Sequence, residues 1–318
     1  MKKLSRLTAI ALLLVFVTSV TSYGWSDTGH MAVAFIAYRK LTPQARARVN
    51  ALVRLNPSFN AWSSRIPAGT SAAKKRMMLF MIAATWPDEI KGDGLHHADG
   101  PANGNKPPDD GTADRNIGYS DTAMHKYWHF IDKPFSPDGT PLEDPPAPNA
   151  ETQIAAFRAV LASDSPDELK SYDLMWLLHL VGDVHQPLHC TARFIHGQPH
   201  GDDGGNLVTV RDGIITKKLH GFWDGLLGTS RAPAVAITVG QNLAAAPAAQ
   251  ANNLDASDWI NDGFADAKSL TYKNPPIGVG AGTFTITSSY RKAARTLARK
   301  RVALAGARLA NILNAELK

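Results

Sequence analysis

Residues 166–189 read PDELKSYDLMWLLHLVGDVHQPLH, and this stretch decides both the fold class and the chemistry of the chain. From 166 to 184 the apolar residues recur at helical spacing. Leu169, Tyr172, Leu174, Trp176, Leu177, Leu180 and Val181 give a wide apolar face. Ser165 reads as the cap of this helix. Near its end His179 and Asp183 stand at i and i+4, so both side chains leave one face. Two ligands on one turn can hold a metal without moving the backbone. A hydrogen-bonded surface pair is the equal alternative. Pro187 ends the helix and lets His189 turn back toward the pair.

Outward from this segment the periodicity stays helical. Helices are read over 31–39, 43–55 (capped by Thr42), 74–85, 151–162, 218–227, 233–246 (Pro233 at the first helical position), 256–267 and 290–317. Segments 92–120 and 133–149, rich in Gly, Asp, Asn and Pro, read as long loops. Residues 191–217 read as irregular, with a short hairpin turning at Asp212 and Gly213 between 207–210 and 214–215. There is no internal repeat and no run of strands long enough for a large sheet. The expected class is mainly α, a single helical domain over 25–318.

Residues 1–24 read as a secretory signal. Lys2, Lys3 and Arg6 precede an apolar run over 7–17, and Ser22 and Gly24 are the small residues of a cleavage site. Cleavage would place a free amine on Trp25, which can chelate a metal together with its own carbonyl oxygen. Without the signal, 31 Lys and Arg stand against 28 Asp and Glu. That mild excess suits an anionic substrate and is no footprint of tight duplex binding. The one cysteine, Cys190, allows no intramolecular disulfide, so stability must come from a large core or from metals. No further apolar stretch reaches the ~18 residues of a membrane span. A secreted or periplasmic monomer is expected.

Further motifs carry the same residue types. His220-Gly-Phe-Trp-Asp224 repeats the i, i+4 spacing. Trp86-Pro-Asp88, Trp128-His129-Phe130-Ile-Asp132 and Gly204-Gly205-Asn206 are, one by one, a turn, a core histidine and another turn. Together and in this order, from Trp25 to Asp224, they resemble the secreted, zinc-dependent single-strand-specific nucleases and 3′-nucleotidases of fungi, plants and bacteria. The resemblance implies a helical fold around three zinc ions. Asp88, His129, His179 and Asp183 would hold one. Asp183 would bridge to a second, held also by His30 and by the amine and carbonyl of Trp25. His189, His220 and Asp224 would hold the third.

The same resemblance implies a base stacked on Phe130 and hydrogen-bonded by Asp132. It places Asn206 near the scissile phosphate and Lys91 facing phosphate. Single-stranded DNA, RNA and nucleotides would be hydrolysed by metal-activated water to 5′-phosphate products. Two alternatives stand beside this reading. A zinc-dependent phospholipase C shares the fold and much of the ligand order, but typically has Glu where Asp224 stands. A non-catalytic exported helical binding protein would need a missing ligand, and none is missing. The remaining histidines, His96, His97, His125, His185, His196 and His200, read as loop or surface residues.

Overall fold

The computed structural model describes residues 24–317. The reading of a signal peptide therefore lies outside the described residues, Gly24 apart. The helix that anchors the sequence reading runs Asp167–Asp183, and every side chain from Lys170 to Asp183 is buried. It is more than amphipathic: a helix covered on all sides is a core element. Helices Asp27–Lys40, Pro43–Val53, Ala150–Ala162 and Ser288–Glu316 surround it. Ser165 is not its cap. Pro166 holds the capping position, and the amide of Ser165 is taken by the Ser163 hydroxyl instead. Asp167 and Glu168 in the first turn supply the negative charge that a helix N-terminus favours.

Thr42 caps Pro43–Val53 as read, accepting from the amide of Ala45. The terminal helix, Ser288–Glu316, lies along Asp27–Lys40. A Cβ at Gly306 would come 2.6 Å from Cβ of Ile36, so only glycine permits this approach. Aromatic rings fill the space below the site. Trp176 meets Trp128 at 5.0 Å and Trp86 at 6.3 Å between ring centroids, both edge-on.

The mainly α class holds. The hairpin is present one to three residues along from its reading, as Thr209–Asp212 paired antiparallel with Ile215–Lys218. Strand Thr283–Thr285 adds to it in parallel, which the sequence reading missed. A second sheet pairs Pro134–Phe135 with Ala192–Arg193. No helix of the described residues is long and apolar enough to cross a membrane.

Candidate metal centre

Four elements deliver one cluster. His179 and Asp183 come from the end of the central helix. Asp88 comes from the short helix Trp86–Glu89, and His129 from the turn Lys126–His129. His179 Nδ1 donates to the carbonyl of Ala84 at 2.8 Å, which leaves Nε2 to face the cluster. That Nε2 lies 3.1 Å from His129 Nδ1, 3.2 Å from Asp183 Oδ2 and 3.6 Å from Asp88 Oδ1. His30 approaches Asp183 from the other side, Nε2 to Oδ1 at 3.3 Å, with its ring stacked on His179 at 3.8 Å.

Glycines make this crowding possible. A Cβ at Gly182 would sit 2.7 Å from His30 Nδ1, and one at Gly29 would sit 2.5 Å from Cβ of Trp25. Trp25 is fully buried. A Cβ at Gly24 would stand 1.7 Å from Asp183 Oδ1 and 3.0 Å from His30 Nε2. The chain at 24–25 therefore passes directly over Asp183 and His30.

His189, His220 and Asp224 form a second cluster. His189 Nδ1 donates to the carbonyl of His129 and His220 Nδ1 to that of Gly204, each at 2.7 Å. The two Nε2 atoms then face each other at 3.1 Å. With both Nδ1 atoms donating to carbonyls, each Nε2 turns its lone pair toward the other. That arrangement is repulsive until a cation or a proton lies between them. Asp224 Oδ1 is 3.6 Å from His220 Nε2 and accepts from Gln186 Nε2 at 2.9 Å.

Among the described residues three groups bring possible ligand atoms within 4.8 Å of one another: His30/Asp88/His179, His129/His179/Asp183 and His189/His220/Asp224. Asp183 Oδ1, His30 Nε2 and His129 Nε2 are buried without a hydrogen-bond partner. Imidazole and carboxylate are the donor types that zinc takes, and orphaned buried atoms of this kind fit a cation.

The electrostatics agree. Burial and neighbouring cations keep the imidazoles of His129 and His220 neutral, with pKa values near 3. Burial alone would raise Asp88, but Lys91, His179 and His129 hold it down to about 2. Asp183 is held well below the carboxylate range against its own burial by His179 and His189. Neutral imidazole with ionised carboxylate is the state that metal binding requires. Two groups depart from it: burial, with Asp88 and Asp183 nearby, raises Asp224 well above the usual range, and Asp183 and Asp88 raise His179 toward its charged form against the pull of burial.

The other candidate residues fall around these clusters. Lys91 Nζ lies 2.8 Å from Asp88 Oδ1, its side chain almost wholly buried. Phe130 follows His129 and is partly buried. The amide of the next residue, Ile131, donates to the carbonyl of His189, so the backbone on either side of Phe130, at His129 and Ile131, is tied to His189. Asp132 is pushed up to about 8 by burial and by Asp203 and Asp202. Asn206 is partly buried, its side-chain amide donating to the carbonyl of Asp203.

Two of the histidines read as loop or surface residues lie outside helices and strands but are not at the surface. His185 is fully buried, donating to the carbonyl of Val181 and accepting from Arg308. His125 is buried between Asp99 and Asp121. The sequence reading passed over Gln186 and Gly182, and read Gly204 only as part of a turn motif. Gly204 has φ +56°, and a Cβ there would strike the Leu188 carbonyl at 2.4 Å. Its signal was the Gly-Gly pair. Gln186 had none.

The fold and the clusters together define a helical protein with buried His/Asp groups that could hold metal ions. The S1/P1 nuclease family model matches residues 25–318, and the chain belongs to that family. It is also similar to "Endonuclease 4" of Arabidopsis thaliana, 36% identical over 105 residues. That match covers 32% of this chain and 31% of the plant protein, so about a third of each is compared.

Proposed function

We propose that the chain is an exported phosphodiesterase that uses three zinc ions to hydrolyse single-stranded DNA and RNA to 5′-phosphate products, with 3′-nucleotidase action at the same site. The observation that carries this is the pair of facing Nε2 atoms of His189 and His220, beside a carboxylate, Asp183, that four histidines surround. Asp88, His129, His179 and Asp183 would hold one ion. Asp183, His30 and the amine and carbonyl of Trp25 would hold the second, and His189, His220 and Asp224 the third. Bound there, zinc supplies Lewis acidity and brings the pKa of water down to about 7.

The chain's own groups do the rest. Lys91 sets a positive charge beside Asp88, where a phosphate oxygen would enter. Asn206 offers an amide to the same phosphate. Phe130 gives a flat face for a base of any sequence. Asp132, protonated at neutral pH, can both donate to and accept from a base edge. A base inside a duplex must leave its stack to reach Phe130, at a cost of a few kcal/mol, which favours single strands. The second ion would require cleavage ahead of Trp25: the uncleaved chain carries Gly24 against Asp183 and His30, and an amide where cleavage would leave an amine.

The test is zinc quantitation on the protein beginning at Trp25, alongside hydrolysis of single-stranded DNA, RNA, 3′-AMP and phosphatidylcholine. Three ions, cleavage of the first three substrates and loss of activity with a lower melting temperature on chelation are expected. Turnover that survives exhaustive chelation refutes the zinc reading. Hydrolysis of the lipid alone refutes the nuclease reading.

A further inference from the structure

Charge is unevenly spread along this chain. Residues 28–87 hold nine Lys and Arg and no Asp or Glu, whereas the rest holds 25 against 28. Helices Pro43–Val53, Phe59–Ser64 and Ala72–Ala83 of this stretch enclose a cavity of about 350 Å³. Arg54, Lys75 and Arg76 line it with Asn50, Phe59 and Leu79, and no acidic residue does. Other cations of the stretch are engaged: Arg46 donates to the carbonyl of Leu41, Arg48 pairs with Asp167 and Arg65 with Glu89. Arg54, Lys75 and Arg76 are exposed and make no ion pair or side-chain hydrogen bond among the described residues.

We propose that this groove is a second, non-catalytic site that binds the phosphodiester backbone of single-stranded nucleic acid and feeds the strand toward the metal centre. The proposal rests on the nuclease reading above. Guanidinium and ammonium groups without counter-ions attract phosphate, and arginine binds it bidentately. The partly buried Phe59 offers a ring on which one base can stack. A concave groove lined by cations suits a strand better than a flat membrane surface. Helix Ala72–Ala83 links the groove to the site, since Trp86 and Asp88 follow its end. At about 1.5 Å per residue, Lys75 stands about 12 Å before Ala83 along the axis. A stacked strand at about 3.4 Å per nucleotide needs about four nucleotides to cover that length. Short substrates would thus reach the metal centre without touching the groove.

The experiment compares wild type with the triple variant Arg54→Gln/Lys75→Gln/Arg76→Gln, both zinc-loaded. Anisotropy measures binding of a labelled phosphorothioate strand of about 20 nucleotides across salt concentrations, and a second assay measures dinucleotide hydrolysis. Three lost phosphate contacts at about 0.7 each should lower the salt slope by about 2, with affinity down about tenfold or more. Dinucleotide turnover should stay unchanged. Each single Gln variant should lower the slope by about 0.7, which keeps the test open if the triple variant misfolds. An unchanged slope, or an equal loss on the dinucleotide, overturns the groove. So does loss of binding to phosphatidylglycerol vesicles with strand binding intact. A wild type that binds the long strand through these residues and cleaves nothing upholds the groove and overturns the catalytic reading.

Discussion

His179/Asp183 and His220/Asp224 share one spacing and one anchoring device, a backbone carbonyl that takes the histidine Nδ1 proton. Their surroundings differ. The first pair ends a buried helix of 17 residues; the second sits on a helix of six. His30, His129, His179 and His189 all lie within 3.9 Å of the Asp183 carboxylate. Asp224 has one histidine and Gln186. Asp183 is therefore ionised and His179 is raised toward the charged form by Asp183 and Asp88 against the pull of burial. In the other pair burial wins: Asp224 rises and His220 falls to about 3. Spacing gives a common face, and the neighbours decide what charge stands on it. On the proposed function a carboxylate ringed by imidazoles would serve two cations, and one beside an amide would serve one.

The largest effect should come from breaking that asymmetry at Asp183. Asp183→Ala is expected to lose two of three ions and about a thousandfold or more in activity, because the activated water goes with them. Asp224→Ala should lose one ion. Equal metal content in the two variants, read by atomic absorption, would contradict a shared Asp183.

Next comes the residue before Trp25. One extra Gly ahead of Trp25 converts an amine into an amide and should cost about a hundredfold in turnover by loosening the second ion. An extended enzyme with full turnover would falsify ligation by the N-terminus. The ion at His189, His220 and Asp224 should be untouched, and metal titration of the extended protein reads this directly.

Gln186→Ala should be weaker and confined to the other side. Loss of an outer partner typically costs about 10–100-fold in metal affinity. The ion at His189, His220 and Asp224 should weaken by that amount while the other two hold. Equal weakening of all three would mean that the clusters do not act separately.

These contrasts mark what the sequence could show. Helix Asp167–Asp183 was legible because its apolar period and length are properties of one segment. So was each i, i+4 pair. The approach of Asp88 and His129 to His179 joins three elements, and no spacing encodes it; it came from the ordered resemblance. The burial of His185 was illegible for the same reason, since its partner Arg308 lies 123 residues away. Gly182 looked like an ordinary glycine until the imidazole it admits was in place.

A third pair with the same spacing limits what the spacing means. Asp121 and His125 stand at i and i+4, yet His125 is no open ligand. Its Nε2 meets Asp121 Oδ2 and its Nδ1 meets Asp99 Oδ2, both at 3.0 Å, so both nitrogens are engaged. Its ring stacks on Trp128 at 3.6 Å, with the backbone at φ +42°, a conformation rare outside glycine. Burial opposes its charge, but the two carboxylates raise its pKa above the usual value. A raised histidine stabilises the fold fully below about pH 6.5, and that contribution is lost as pH rises through the folded value. Asp99 and Asp121 are lowered, against burial, chiefly by hydrogen bonds from His125, so their contribution holds above the usual carboxylate range and fades on acidification through their folded values. Urea unfolding at a series of pH values should therefore show wild type losing ground to His125→Gln above pH ~6.5, by at most about 1.4 kcal/mol per pH unit. Zinc stoichiometry should be equal in the two proteins throughout. A difference in zinc would place His125 among the ligands, and a flat difference in stability across pH would show that it is neutral in its niche.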